Sequence, residues 1–244
     1  MNNNLNESEL SIRPFTEALF TDELKDLSVD FSDIALDSLF DDDSILREIP
    51  WVKSAIAVLK VGSTIQQRFE FKKQLVFLSQ LQKSNIDSYE ISRRNTAYYN
   101  HEAWFQREVE NLVVYLSRHA SVDKAKIQAV LYVDLVNRRI EQSFFEECLD
   151  VIDRIFLGDL PHLMDIYRDQ TKAGVSLTDL SYFQRKPGFS FEGIRCRRLS
   201  SLGLLHQLHP MSFGFSIDNH YLVTDTGKYI CRLILDRNLF SFGC

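Results

Sequence analysis

Arg198-Leu199-Ser200-Ser201-Leu202-Gly203-Leu204-Leu205 and, after about fifteen mixed residues, Tyr221-Leu222-Val223-Thr224-Asp225-Thr226-Gly227-Lys228-Tyr229-Ile230 carry the clearest structural signal in this chain. An apolar helix ends at Gly203, the residue type that closes helices in the left-handed conformation. Residues 204–208 and 220–224 then pair as two strands with an irregular tip. Thr224 caps a last helix through Ile230, Leu233 and Leu235.

Upstream of this stretch, Ser190 caps the helix Phe191 to Leu202. Leu177 to Gln184 is expected to form the first helix of the same module, broken by Lys186-Pro187-Gly188. Gly174, after Lys172, marks a boundary, so the module covers 175–240.

The remainder, 13–172, reads as a helical body. Pro14 opens a helix to about Leu27, and Ser32 caps a short one ended by Asp41-Asp42-Asp43. The longest helical signal covers 45–83, where Val52, Ala55, Ile56, Leu59, Gly62 and Ile65 recur at three- and four-residue steps and the pattern continues to Leu81. Residues 85–104 are polar and aromatic, a helix or a long connection. Trp104 to Arg118 is amphipathic, Ser121 caps a helix from Ala125 to Val136, and a turn at Asn137-Arg138-Arg139 leads into Ser143 to Leu157. Gly158-Asp159 stops that helix, with Pro161 in the first turn of the next. The fold class is therefore mainly α, an array of αα-hairpins with a small carboxy-terminal module. Residues 1–12, rich in Asn and Ser, are expected to be disordered.

Composition agrees. Of 244 residues 45% are hydrophobic, and eighteen Phe and nine Tyr against nine Gly and five Pro favour packed helices over a loop-rich fold. The cysteines at 148, 196, 231 and 244 lack metal-site spacing, and no export signal opens the chain, so they are expected to be reduced thiols of a cytoplasmic protein. The net charge of −6 argues against whole-protein nucleic-acid binding, but it is unevenly spread. Residues 17–48 hold eleven acids and two bases, a net of −9, whereas 185–237 hold eight bases and four acids, a net of +4. Both can be solvated faces, or the two ends can attract each other within one chain or between chains.

Three groups of residues invite a functional reading. Arg195, Arg197 and Arg198 lie on the helix from Ser190 and are candidates for nucleic-acid binding, with Ile194 and Leu199 expected to face the core. Trp51, Val52, Ile56, Leu59 and Ile65 form an apolar helical stripe that suits a core helix, a partner contact or an interfacial membrane helix. The seventeen residues from Ile49 to Ile65, with two lysines, are too short and too charged for a span of about 20. His206, His209 and His220 with Cys196 or Cys231 lack zinc-finger spacing, and Cys148 reads as core. The turn at Asn137 is no calcium loop, because Val133 and Leu135 would stand at oxygen-ligand positions. No nucleophile elbow, Cys–His motif, phosphate loop or dinucleotide fingerprint is present, and Asp33/Asp37 and Glu146/Asp150 read as solvated acids. No cofactor or metal is expected.

The Leu-Gly-Leu-Leu run and the Tyr-Leu-Val-Thr-Asp-Thr-Gly-Lys run resemble the ends of winged-helix modules. They also look like the ends of helical bacterial proteins of the Abi-alpha type, associated with abortive infection and phage resistance. The resemblance covers about fifty residues and implies no particular functional residue. It implies a non-enzymatic protein of a bacterial defence or mobile-element system, acting through a protein partner or as a homo-oligomer. A winged-helix DNA-binding regulator and a membrane-acting effector using the 49–65 helix are the alternatives.

Overall fold

The computed structural model describes residues 14–21, 31–39, 49, 52, 53, 56, 59, 64–172, 186–187, 191–208 and 218–240. The amino-terminal dozen, Trp51, the expected helix at 177–184, the Ser190 cap and His209 lie outside them. The chain is mostly helical and divides into two compact units, Met1–Leu149 and Asp150–Cys244.

In the first unit, helices α1 (Ile65–Gln82), α2 (Ser88–Tyr99), α3 (Ala103–Arg118), α4 (Val122–Val136) and the start of α5 (Gln142–Arg154) follow one another through short turns. Helix α4 is buried on almost every side between Lys124 and Val136, as its nearly unbroken apolar sequence requires. Helix α1 packs along it, with the Phe77 and Tyr132 rings 6.0 Å apart and Phe15 and Phe145 completing the aromatic core. Three polar side chains of α1 reach backbone carbonyls. Lys72 Nζ donates to Ser32 and Ile34, Lys73 Nζ donates to Ser117 and His119 at 3.0 Å each, and Gln82 Nε2 donates to Ala18. Lys73 thus satisfies carbonyls at the carboxy end of α3, where a cation also meets the helix dipole favourably.

The expected apolar helix through 45–83 is interrupted. Thr64 is extended (φ −75°, ψ 160°) and forms a capping box with Gln67, so α1 starts afresh at Ile65. Val52 and Ile56 are buried and Leu59 is half-buried, but Ile65 is 78% exposed and does not continue their stripe.

The second unit contains a 3₁₀ turn (Leu157–Asp159), α6 (Leu160–Lys172), β1 (Lys186–Pro187), α7 (Phe191–Ser201), β2 (Leu205–Leu208), β3 (Asp218–Val223) and α8 (Asp225–Asp236). The strand order is β1-β3-β2, both pairs antiparallel, with Leu205 opposite Val223 and Gln207 opposite Tyr221. Gln170 of α6 behaves as a further strand residue: its amide donates to the Tyr221 carbonyl and accepts from Val223 N–H, at 3.0 and 3.1 Å. Helix α6 packs against α7, β3 and α8. It therefore belongs with the carboxy-terminal elements, upstream of the boundary expected near 172–175.

Helix α7 ends in a Schellman turn, with Leu204 N–H bonded to Leu199 C=O and Gly203 at φ 73°. The same turn closes α2, α4 and α8 on non-glycine residues, His101, Arg138 and Asn238, at φ 54°, 57° and 47°. The Thr224 hydroxyl then joins the two ends of the ribbon, donating to Gly203 C=O and accepting from Gly227 N–H. At this corner α8 meets the backbone so closely that a Cβ on Gly227 would lie 2.4 Å from the Leu204 carbonyl oxygen. Gly227→Ala is expected to lower stability by roughly 1–3 kcal/mol, read as a fall in the urea midpoint. An unchanged midpoint would contradict the close approach.

Candidate interaction surface

Each unit holds a cluster of arginines and carboxylates, and the two are built differently. In the first unit Arg94 of α2 lies between two acids. Its Nη1 donates to Glu90 Oε2 at 2.9 Å and its Nε to Glu108 Oε1 of α3 at 2.8 Å. The Tyr132 hydroxyl of α4 donates to the same Glu108 oxygen at 2.6 Å. Arg93 and Arg138 meet Glu90 from its other sides at 3.0 and 2.6 Å, and the Arg93 guanidinium stacks 4.5 Å over the Trp104 ring. Arg138 reaches Glu90 from the left-handed position that closes α4.

Burial pushes the Glu90 carboxyl up, but hydrogen bonds and charges from Arg93, Arg138 and Arg94 outweigh it and hold the group below its ordinary value. Burial, followed by the Glu108 charge, drives the Tyr132 hydroxyl well above its ordinary range. The acids are met by arginines, and the phenol stays protonated. The cluster is a brace across α2, α3 and α4.

In the second unit the cluster opens to solvent. The preceding helix ends at Arg154, short of the Leu157 expected, and Gly158-Asp159 belong to the 3₁₀ turn Leu157–Asp159, which sets Asp159 just before α6 with its N–H donating to Phe156 C=O at 2.8 Å. The Asp159 side chain is 1% exposed and takes the fork of Arg198 in a bidentate pair, 2.8 Å to Nε and 2.6 Å to Nη2. Arg195, one turn earlier on α7, brings its buried Nε to 3.6 Å from the same carboxylate, a charge contact without a hydrogen bond. The two guanidinium groups also lie over aromatic rings, Arg195 at 4.5 Å from the Phe191 centroid and Arg198 at 5.6 Å from that of Phe156. Hydrogen bonding to Asp159 raises the pKa of Arg198 further above its ordinary value.

The structure thus brings Arg195 and Arg198 together on one carboxylate and leaves Arg197 apart, exposed on the helix. It also corrects the expected inward face of α7. Leu199 is buried, but Ile194 is 40% exposed, and Gly193 and Cys196 occupy the inner positions instead. Spacing explains the difference, because 193, 196 and 199 recur at three-residue steps and 194 falls off that line. Phe156 and Phe191, at 64% and 65% exposure, join Ile194 as the large apolar side chains exposed among the described residues of this unit.

Sequence reasoning missed one pairing altogether. His162 of α6 places Nε2 3.3 Å from Cys196 Sγ, both buried. Of the histidines expected near Cys196, His206 lies on the ribbon and is exposed there. Residues 162 and 196 share no local motif; only the packing of α6 on α7 joins them. Tyr221 is buried nearby, its hydroxyl pushed up by burial and then by Cys196. Cys196 has no solvent exposure, so a substrate cannot meet its sulfur in this arrangement. Among the described residues no group of three His, Cys, Asp or Glu is placed to hold a metal ion. Cys148 and Cys231 are core thiols, pushed up to about 12 chiefly by burial.

Because Glu90 is depressed in the folded state, its contribution to stability is complete above its ordinary value of 4.5 and is lost as pH falls through the lower folded value. Glu90→Gln is expected to cost roughly 3 kcal/mol near neutral pH. Urea midpoints measured down a pH series should show the gap between wild type and variant closing in acid. A gap that widens in acid would contradict the assignment. No protein-family model, curated protein or solved structure matches the chain, so the geometry of these two clusters is what bears on its role.

Proposed function

We propose that this chain is a non-enzymatic binding protein acting through protein contacts, with the outer face of α7 and the adjoining Phe156 turn as its docking surface. The observation that carries this reading is the exposure of Phe156, Phe191 and Ile194 around two arginines locked onto a buried carboxylate. Exposed aromatics and arginines are the side chains that dominate binding energy at protein interfaces. Arginines already fixed by a bidentate pair and by ring stacking lose little further freedom when a partner arrives. Covering each phenylalanine contributes up to about 1.5–3 kcal/mol.

The nucleic-acid reading draws less support. Base or phosphate recognition would draw on the forks of Arg195 and Arg198, but Arg198 spends two donors on Asp159 and Arg195 faces the same carboxylate, which leaves Arg197 as the arginine of the three away from that acid. The membrane reading relies on a stripe whose Val52 and Ile56 lie in the interior and whose Ile65 points elsewhere. No helix among the described residues is long and apolar enough to cross a membrane.

The proposed setting, cytoplasmic and within a bacterial phage-defence or mobile-element system, rests on the likeness of the 198–230 region to Abi-alpha-type proteins. A helix closed at Gly203, an antiparallel ribbon and a Thr-capped final helix support a winged-helix-like description of that region. Affinity capture of the full chain from host cells, followed by mass spectrometry, tests the docking reading. A protein partner should be recovered with wild type and fall about tenfold or more with Phe191→Glu. Equal recovery with both, or recovery of none, would reject it.

A further inference from the structure

We infer that the buried side chains of Cys196, His162 and Tyr221 form a closed, structural binding site for one zinc ion, on the inner face of α7.

The three donors come from three elements. Cys196 Sγ of α7 lies 3.3 Å from His162 Nε2 of α6. Tyr221 of β3 is 3% exposed, and after burial itself Cys196 is the group that most raises its hydroxyl. That hydroxyl has no hydrogen-bond partner among the described residues. A buried polar atom left without a partner is costly, and a bound water or ion is the usual resolution.

Zinc takes sulfur at about 2.3 Å and imidazole nitrogen at about 2.0 Å, so two such ligands on one tetrahedral ion stand about 3.5 Å apart. The separation of 3.3 Å between Sγ and Nε2 fits that geometry. A thiol–imidazole hydrogen bond spans the same distance but leaves the phenol oxygen unserved, whereas an ion serves all three donors. Binding releases the thiol proton and the phenol proton to solvent, and the thiolate and phenolate then cancel the two charges of the ion. A buried ion needs that neutrality. Sulfur with imidazole also favours zinc over magnesium or calcium, which prefer oxygen.

Packing holds the donors in place. Tyr221 is paired with Gln207 on one edge of β3, and on the other its carbonyl accepts from Gln170 Nε2 at 3.0 Å. Cys196 occupies the inner line of α7 between Gly193 and Leu199. Its sulfur is closed to a substrate, which suits a structural site without an open position.

Titration of the chelator-treated full chain with zinc alone, followed by calorimetry, tests this. One ion per chain should bind and raise the melting temperature. Cobalt in its place should give a thiolate-to-metal charge-transfer band, lost in Cys196→Ser. His162→Gln and Tyr221→Phe should each weaken binding about tenfold or more. Tyr221→Phe keeps the ring and removes only the oxygen, so it decides the matter if the other variants fail to fold. No uptake at micromolar zinc, or a cobalt band that survives Cys196→Ser, would overturn the inference. An affinity unchanged in Tyr221→Phe would overturn it too, because the phenol is then served by water alone.

Discussion

A carboxylate with 1% of its side chain exposed must be compensated, and Asp159 is compensated by arginines from another helix. That requirement sets the chemistry of the whole outer face of α7. Arg198 turns its fork inward to form two hydrogen bonds, and Arg195 follows at a longer distance. Their guanidinium groups lie over Phe191 and Phe156, so the surface mixes aromatic rings with guanidinium groups. Removing the acid would leave two arginines competing for solvent and the rings free to collapse. The proposed docking surface is therefore a consequence of one buried charge, positioned by the turn at Gly158-Asp159.

The first unit uses the same ingredients to a different end. Glu90, Arg94, Glu108 and Tyr132 close their hydrogen bonds on one another inside a packed helical array, and Arg138 accepts a strained backbone to complete the set. Charge is used there to fix which faces of α2, α3 and α4 meet. At Asp159 it is used to present side chains outward. The contrast supports reading the first cluster as architecture and the second as a surface.

Much of the architecture was legible because it is written in local signals. Ser121, Thr224 and Gly203 cap or close helices where their side chains or conformations demand it, and the long apolar run of α4 could only be interior. The break at Thr64 was not read, because the apolar recurrence runs across it and a capping box depends on one threonine and one glutamine. Ile194 was assigned to the core on hydrophobicity, when three-residue spacing gives that place to Cys196. The arginines of α7 were visible as a basic cluster, but their partner was not. Asp159 stands 39 residues before Arg198 and reads as a helix stop and a cap for the next segment. A similar separation in sequence hid His162 from Cys196. Capping and periodicity report on neighbours along the chain; ion pairs between helices do not.

Whether the α7 arginines serve as scaffolding for a protein dock or as nucleic-acid ligands is the central question, and binding of duplex DNA by the full chain across a salt series addresses it most directly. The account predicts weak binding with a shallow salt dependence, indifferent to Arg195→Ala combined with Arg198→Ala, because Arg198 is hydrogen-bonded to Asp159 and Arg195 faces the same carboxylate. Tight binding that falls steeply with salt and disappears in the double variant, with its second unit still folded, would contradict it.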